Sequence, residues 1–191
     1  MKKRTIVLAS GNKHKIKEIQ DMLPDYDIVG YKDFGFDFEI EENGRTFYEN
    51  ALIKAKTIAE KLNLPALADD SGICVDALGG APGIFSARYA GDGVDEHNNQ
   101  LLLKNLEGKE PRTAKFVCCM VYYKPNGEIE TATGETLGEI LFSAQGENGF
   151  GYDPIFFSYD LNKCLGIASS DEKNTISHRF RAISLIKDKL K

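Results

Sequence analysis

Five short stretches of this sequence hold residue types that can do chemistry. Ser10-Gly11-Asn12-Lys13-His14-Lys15 lies between a β-branched apolar run and an amphipathic segment. A turn from strand to helix offers backbone amides and the positive end of the helix dipole to an anion. Gly11 permits close backbone approach, and Lys13 and Lys15 add charge. The spacing is not that of a Walker A loop, and taken alone the segment reads equally as an ordinary turn with solvated lysines. Glu41 and Glu42 sit in a polar loop, while Asp69 and Asp70 directly follow the apolar run Pro65–Ala68. Magnesium takes oxygen ligands, one or two carboxylates with water and phosphate, so an acidic pair at a strand end suits it. At least one of Asp69 and Asp70 faces into structure and needs a partner or a metal. By themselves Glu41 and Glu42 read as solvated loop acids.

Asn50 and Lys54 are i and i+4 on one helical face, beside an apolar stripe. Lys54 can reach a phosphate there or lie along the helix surface. Gly149-Phe150-Gly151-Tyr152-Asp153-Pro154 combines freed backbone, two rings for stacking on a flat base, and a carboxylate acceptor. Its plain alternative is a turn with core aromatics. Lys173-Asn174-Thr175-Ile176-Ser177-His178-Arg179 gathers donors at the start of a helix, where the dipole disfavours cations, so an anion or a carbonyl oxygen is expected nearby. No such argument reaches His14 or His97, and Arg88 reads as a second phosphate contact or a structural residue.

The elements that must position these residues follow from the apolar pattern. Thr5–Ala9 is a buried strand. A helix with Ile16, Ile19 and Leu23 on one face follows and ends at Pro24. Tyr26–Gly30 is a second strand. The next helix starts near Thr46, where Thr46 and Glu49 fit a capping box, and carries Phe47, Ala51, Ala55, Ile58 and Leu62 inward. Pro65–Ala68 and Ile73–Val75 read as two short strands, and Asp95–Leu106 as a helix. Lys115–Tyr123 and Glu128–Glu135 form a hairpin about Asn126-Gly127. Glu139–Phe142 is a further strand, and a last helix runs from about Thr175. The result is an α/β fold with a mixed sheet.

The chain has 191 residues, 42% of them apolar, which suits one domain or one domain of two lobes. Its 24 basic and 29 acidic residues give a net charge of −5, against a partner held by non-specific nucleic-acid contacts. Cys74, Cys118, Cys119 and Cys164 form no C-x-x-C pair and read as reduced core thiols. The apolar stretch after the basic start Met1-Lys2-Lys3-Arg4 stops at Ala9, too short for a signal peptide or a membrane span, so a cytoplasmic location is expected.

In this order, Ser10–Lys15, Glu41–Ala51, Ala68–Gly72, Gly149–Pro154 and Ile176–Arg179 resemble the motifs of the Ham1/inosine triphosphate pyrophosphatase family, its bacterial dITP/XTP pyrophosphatases in particular. The resemblance runs over nearly the whole chain. It implies a long mixed sheet flanked by helices, two lobes with a central active-site cleft, and a homodimer. It implies hydrolysis of ITP, dITP and XTP to the monophosphate and pyrophosphate with Mg2+, cleansing the nucleotide pool. Ser10, Gly11, Asn12, Lys13, His14 and Lys15 would bind the triphosphate, and Ser71 would touch substrate. Glu41 and Asp70 would hold magnesium, with Glu42 as the alternative to Glu41, and Asp70 would accept the proton of the attacking water. Lys54 joins the catalytic set, stabilising charge on the leaving group. Phe150, Gly151, Tyr152, Asp153, Lys173, His178 and Arg179 would surround base and sugar. A Maf-like pyrimidine nucleotide pyrophosphatase and a non-catalytic nucleotide sensor are the competing readings. The Phe150 and His178-Arg179 segments favour purines, and Asp69-Asp70-Ser71-Gly72 favours an enzyme.

Overall fold

Seven strands form one mixed sheet in the computed structural model, in the order β2-β1-β3-β4-β5-β6-β7. The structure describes residues 3–190; Met1 and Lys2 of the basic start lie outside them, as does Lys191. The strands are β1 (Arg4–Leu8), β2 (Tyr26–Gly30), β3 (Ala66–Val75), β4 (Thr113–Tyr123), β5 (Ile129–Ile140), β6 (Phe156–Ser158) and β7 (Lys163–Cys164). The helices are α1 (Lys13–Met22), α2 (Phe47–Leu62), α3 (Asp95–Asn105), α4 (Ser170–Ile176) and α5 (His178–Ile186). Strands β2 and β3 both run parallel to β1, whereas β6 is antiparallel to β5 and to β7. Among the described residues no helix is long and apolar enough to cross a membrane.

Contacts divide the chain into two compact units. The first comprises the chain through Asp70, Cys118–Gly134 and the stretch from Arg179; the second comprises Ser71–Val117 and Glu135–His178. In the first unit both sheet faces are covered. Ile6, Leu8, Leu67, Cys118 and Met120 pack with Ile19 of α1 and Ala182, Ile183 and Ile186 of α5. On the other face Val7, Ala66, Ala68 and Val121 pack with Ala51, Ala55, Ile58 and Ala59 of α2. Strands buried on both faces lose the alternating pattern and become continuous apolar runs, as in Ile6-Val7-Leu8 and Ala66-Leu67-Ala68. In the second unit Ile73, Val75, Phe116, Ile140 and Phe156 pack with Leu102 and Leu106 beside α3.

Three expectations change. Pro65–Ala68 and Ile73–Val75 are one ten-residue strand, so Asp69-Asp70-Ser71-Gly72 lies inside β3 rather than at a strand end. The polar residues disguise the strand because each carboxylate there has its own buried partners. The second arm of the hairpin and the start of Glu139–Phe142 likewise merge into the twelve-residue β5, which ends at Ile140 and whose outward positions mix Thr131, Thr133 and Glu135 with Ile129 and Leu137. The single last helix is two, α4 and α5, broken where Ser177 adopts φ −64, ψ 151, an extended conformation that no helix accommodates. The capping box at Thr46 is also altered. Thr46 accepts from the Glu49 amide, but Glu49 accepts at 2.6 Å from the amide of Arg45, one residue before the cap.

Candidate functional site

In the first unit, the order β2-β1-β3 makes the end of β1 the place where the chain departs to opposite sides. Ligands of open α/β sheets sit beyond the carboxyl ends of strands at such a switch point. Ser10, Gly11 and Asn12 stand there. Asn12 caps α1, its Oδ1 accepting from the amides of His14 at 2.9 Å and Lys15 at 3.3 Å, while Ser10 Oγ accepts from the Asn12 amide at 3.1 Å. Amides that the sequence offers to an anion are thus partly satisfied from within. Lys13 and His14 are exposed, and Lys15 turns back toward the sheet.

Asp69 and Asp70 are buried at 2% and 7% exposure, so neither carboxylate is simply solvated. Asp69 Oδ2 meets Lys15 Nζ at 3.0 Å and Arg179 Nη2 at 3.1 Å, and Arg179 also binds Glu18. Burial pushes the Asp69 carboxyl up, but Lys15, Arg179 and Lys54 outweigh it and hold it well below the usual carboxylate range. Burial likewise works against the Arg179 charge, and Asp69 foremost restores it.

Asp70 has different company. Its Oδ2 accepts from Asn50 Nδ2 at 3.1 Å, and its Oδ1 lies 3.4 Å from Lys54 Nζ, which also meets Glu42 Oε2 at 3.2 Å. Burial raises the Asp70 carboxyl; Lys54 opposes, Glu42 adds to the rise, and the net shift is upward. Burial lowers the Lys54 ammonium, but Asp70, Asp69 and Glu42 hold it above its ordinary value. The acid that reaches this group is Glu42, while Glu41 is exposed beside it. Asn50 is fully buried and joins the group to the preceding loop, because its Oδ1 accepts from the Gly44 amide at 2.9 Å. A Cβ on Gly44 would stand 2.7 Å from that same oxygen, so only glycine fits the approach.

In the second unit, Ser71 follows on β3, half-buried. The Gly149–Pro154 loop is built around Asp153, whose Oδ2 accepts from the Phe150 amide at 2.9 Å and from Lys173 Nζ at 2.6 Å. Gly149 has φ +77, and a Cβ there would lie 2.1 Å from Asp153 Oδ2. Helix α3 grips the next glycine from both sides. Asp95 Oδ2 accepts from the Gly151 amide at 2.7 Å, and Asn99 Nδ2 donates to the Gly151 carbonyl at 3.0 Å. The two rings of the loop differ. Phe150 is half-buried with Lys173 Nζ 4.3 Å from its centroid, whereas Tyr152 belongs to the core and donates its hydroxyl to the Ser86 carbonyl at 2.7 Å. One stacking ring is therefore offered, not two. His178, at the start of α5, stacks on Phe116 with centroids 5.0 Å apart and planes 13° from parallel.

The structure thus groups Lys15, Lys54, Asp70 and Glu42 with Asp69, Asn50, Glu18 and Arg179 in one unit, and Phe150, Asp153, Lys173 and His178 with Asp95, Asn99 and Phe116 in the other. Arg179, which the sequence joins to His178, stands with the acids of the first unit. Among the described residues no cluster of three or more His, Cys, Asp or Glu side chains is arranged to hold a metal. Glu42 and Asp70 converge on one ammonium, that of Lys54.

A model of the Ham1 family matches residues 6–189 of the chain. A dITP/XTP pyrophosphatase of Haemophilus influenzae is 48% identical, with 98% of this chain and all of that protein covered. One of Clostridium perfringens is 45% identical over 98% of each chain. The solved structure of the Staphylococcus aureus Ham1 protein superposes with a TM-score of 0.90 at 44% identity over 98% of both chains. The Ham1 protein structure from Coxiella burnetii gives 0.91 at 40% identity over 98% of both.

Proposed function

The chain belongs to the Ham1 family, and from that premise we propose that it hydrolyses non-canonical purine nucleoside triphosphates, ITP, dITP and XTP, to the monophosphate and pyrophosphate. The relatives named dITP/XTP pyrophosphatase support the substrate class. The observation that carries the chemistry is the buried Asp70 carboxylate, fixed by Asn50 and Lys54 with Glu42 on the same ammonium. Asp70 takes a proton from a water whose oxygen bonds to the α-phosphorus. The bond from that phosphorus to the bridging oxygen breaks, and pyrophosphate leaves with the electron pair. Lys13, Lys15 and Lys54 stabilise the charge that gathers on it. Asp70 and Glu42, with Glu41 next in the chain, would hold Mg2+, which when bound neutralises phosphate charge and lowers the pKa of its water.

Phe150, Asp153, Lys173 and His178 read the base. Hypoxanthine and xanthine carry a 6-oxo acceptor, whereas adenine brings a 6-amino donor against donors, and such mismatches are worth ~10⁴–10⁵-fold in kcat/KM. The same reading makes the protein a cytoplasmic homodimer acting on free nucleotides. Pyrophosphate release from ITP, dITP, XTP, GTP, ATP, UTP and dTTP, with Mg2+ and with EDTA, tests it. Release from ITP, dITP and XTP well above that from GTP and ATP, with GTP above ATP because it shares the 6-oxo group, and abolished by EDTA, is expected. Preference for UTP or dTTP, or binding without release, overturns it.

A further inference from the structure

The turn at the end of β1 is covered by a residue from outside the chain motifs. A Cβ on Gly11 would lie 3.0 Å from Cε, 3.5 Å from Cδ and 3.7 Å from Nζ of Lys32. Lys32 therefore lays its aliphatic stem over Gly11 and holds its ammonium at the Ser10–Lys15 turn. The register explains how it arrives. Strands β1 and β2 are parallel with Leu8 opposite Gly30, and Lys32 follows two residues past Gly30, in the 3-10 turn Tyr31–Phe34.

Charge distinguishes Lys32 from the other cations nearby. Lys15 is committed to the buried Asp69, Lys54 to Glu42 and Asp70, and Arg179 to Asp69 and Glu18. These four carboxylates outnumber the three cations by one. The interior of the site has no surplus positive charge, yet a triphosphate brings several negative charges. Among the described residues the carboxylate paired with Lys32 is that of Asp37, at 3.8 Å and 100% exposed, a pair worth little in water. Its own side chain is 47% exposed, so the ammonium is free to turn to an anion.

We propose that Lys32 is a further phosphate-binding residue, one that engages the triphosphate at the Gly11 turn alongside Lys13. The inference rests on the hydrolase reading above, and its test separates the two. The variant K32M keeps the stem over Gly11 and removes the charge; K32R keeps the charge. At low ionic strength K32M raises the KM for ITP about three- to tenfold with a smaller change in kcat. It weakens binding of inorganic tripolyphosphate, followed by calorimetry, by the same factor. K32R recovers both, and added salt narrows the gap. Inhibition by IMP, which lacks the outer phosphates, changes less than twofold. A K32M protein with wild-type KM and wild-type tripolyphosphate affinity at low salt overturns the proposal. If the wild-type protein releases no pyrophosphate from any nucleotide, the hydrolase reading falls, and the tripolyphosphate titration still judges Lys32. Weaker binding in K32M than in wild type upholds it, and equal or absent binding overturns it.

Discussion

The carboxylates of Asp69 and Asp70, adjacent in sequence, leave β3 on opposite faces and meet different partners: Lys15 and Arg179 for the first, Asn50 and Lys54 for the second. Side chains alternate along a strand, so a two-residue acidic motif supplies one group to each face. Asp70 shares the Lys54 ammonium with Glu42, and Asp69 shares the Arg179 guanidinium with Glu18.

The two replacements should therefore fail differently. D70N keeps its fold and loses pyrophosphate release by ~10²–10⁴-fold. D69N leaves Arg179 buried without that counter-charge and loses about 3–5 kcal/mol of stability. Asp69 is held below its ordinary 3.8, so its stabilisation is present above that pH and fades as pH falls below it. Denaturant titrations from pH 7 to 3 should show a flatter acid limb for D69N than for wild type. Equal stability of D69N and D70N at pH 7 would contradict the division of roles.

Glu42, not Glu41, shares the Lys54 ammonium with Asp70. E42Q should raise the Mg2+ concentration for half-maximal rate about tenfold or more, and E41Q should leave it near wild type. The reverse pattern in a metal titration returns the ligand role to Glu41.

Asp95 and Asn99, one turn apart on α3, hold both polar groups of Gly151. A hydrogen bond is worth roughly 1 kcal/mol, so D95A and N99A should each lower kcat/KM for ITP about fivefold and shrink the ITP-to-ATP ratio. D95N, which retains an acceptor, should restore most of it. Wild-type ratios in the double variant would mean that the loop is held by other contacts.

Arg179 and His178, adjacent in sequence, separate in the same way. Arg179 is 2% exposed and bound to Asp69 and Glu18, so R179A should lower the melting temperature and reduce ITP and ATP hydrolysis alike. H178A should instead narrow the ITP-to-ATP ratio by about tenfold with little loss of stability. Should R179A narrow that ratio while the protein melts as wild type does, Arg179 reads the base after all.

The strands and helices of the first unit could be read almost directly from apolar runs, because β1 and the start of β3 are buried on both faces and α1 and α2 carry their stripes at helical spacing. What sequence could not show was the continuity of β3 through four polar and small residues, since it depends on partners far along the chain. The motifs named Asp70, Lys54 and Asn50, but that Glu42 rather than Glu41 reaches the Lys54 ammonium depends on how the loop before α2 runs. Lys32, Asp95 and Phe116 carry no motif at all. Only parallel register, helix placement and ring stacking bring them to their neighbours.

The ion pair between Asp69 and Arg179 also fixes an order of events during synthesis. The two residues are 110 positions apart, and the whole second unit is translated between them, apart from the return through Cys118–Gly134. At ribosomal speeds of ~5–20 residues per second, Asp69 waits roughly 5–20 s for its guanidinium. Until then α5 is missing, and the sheet face that carries Leu8, Leu67 and Met120 has only α1 of its two helices. The second unit, whose last residue is His178, is complete first. A chain that ends before Arg179 would thus hold every residue of the second unit and lack both α5 and the guanidinium that Asp69 binds.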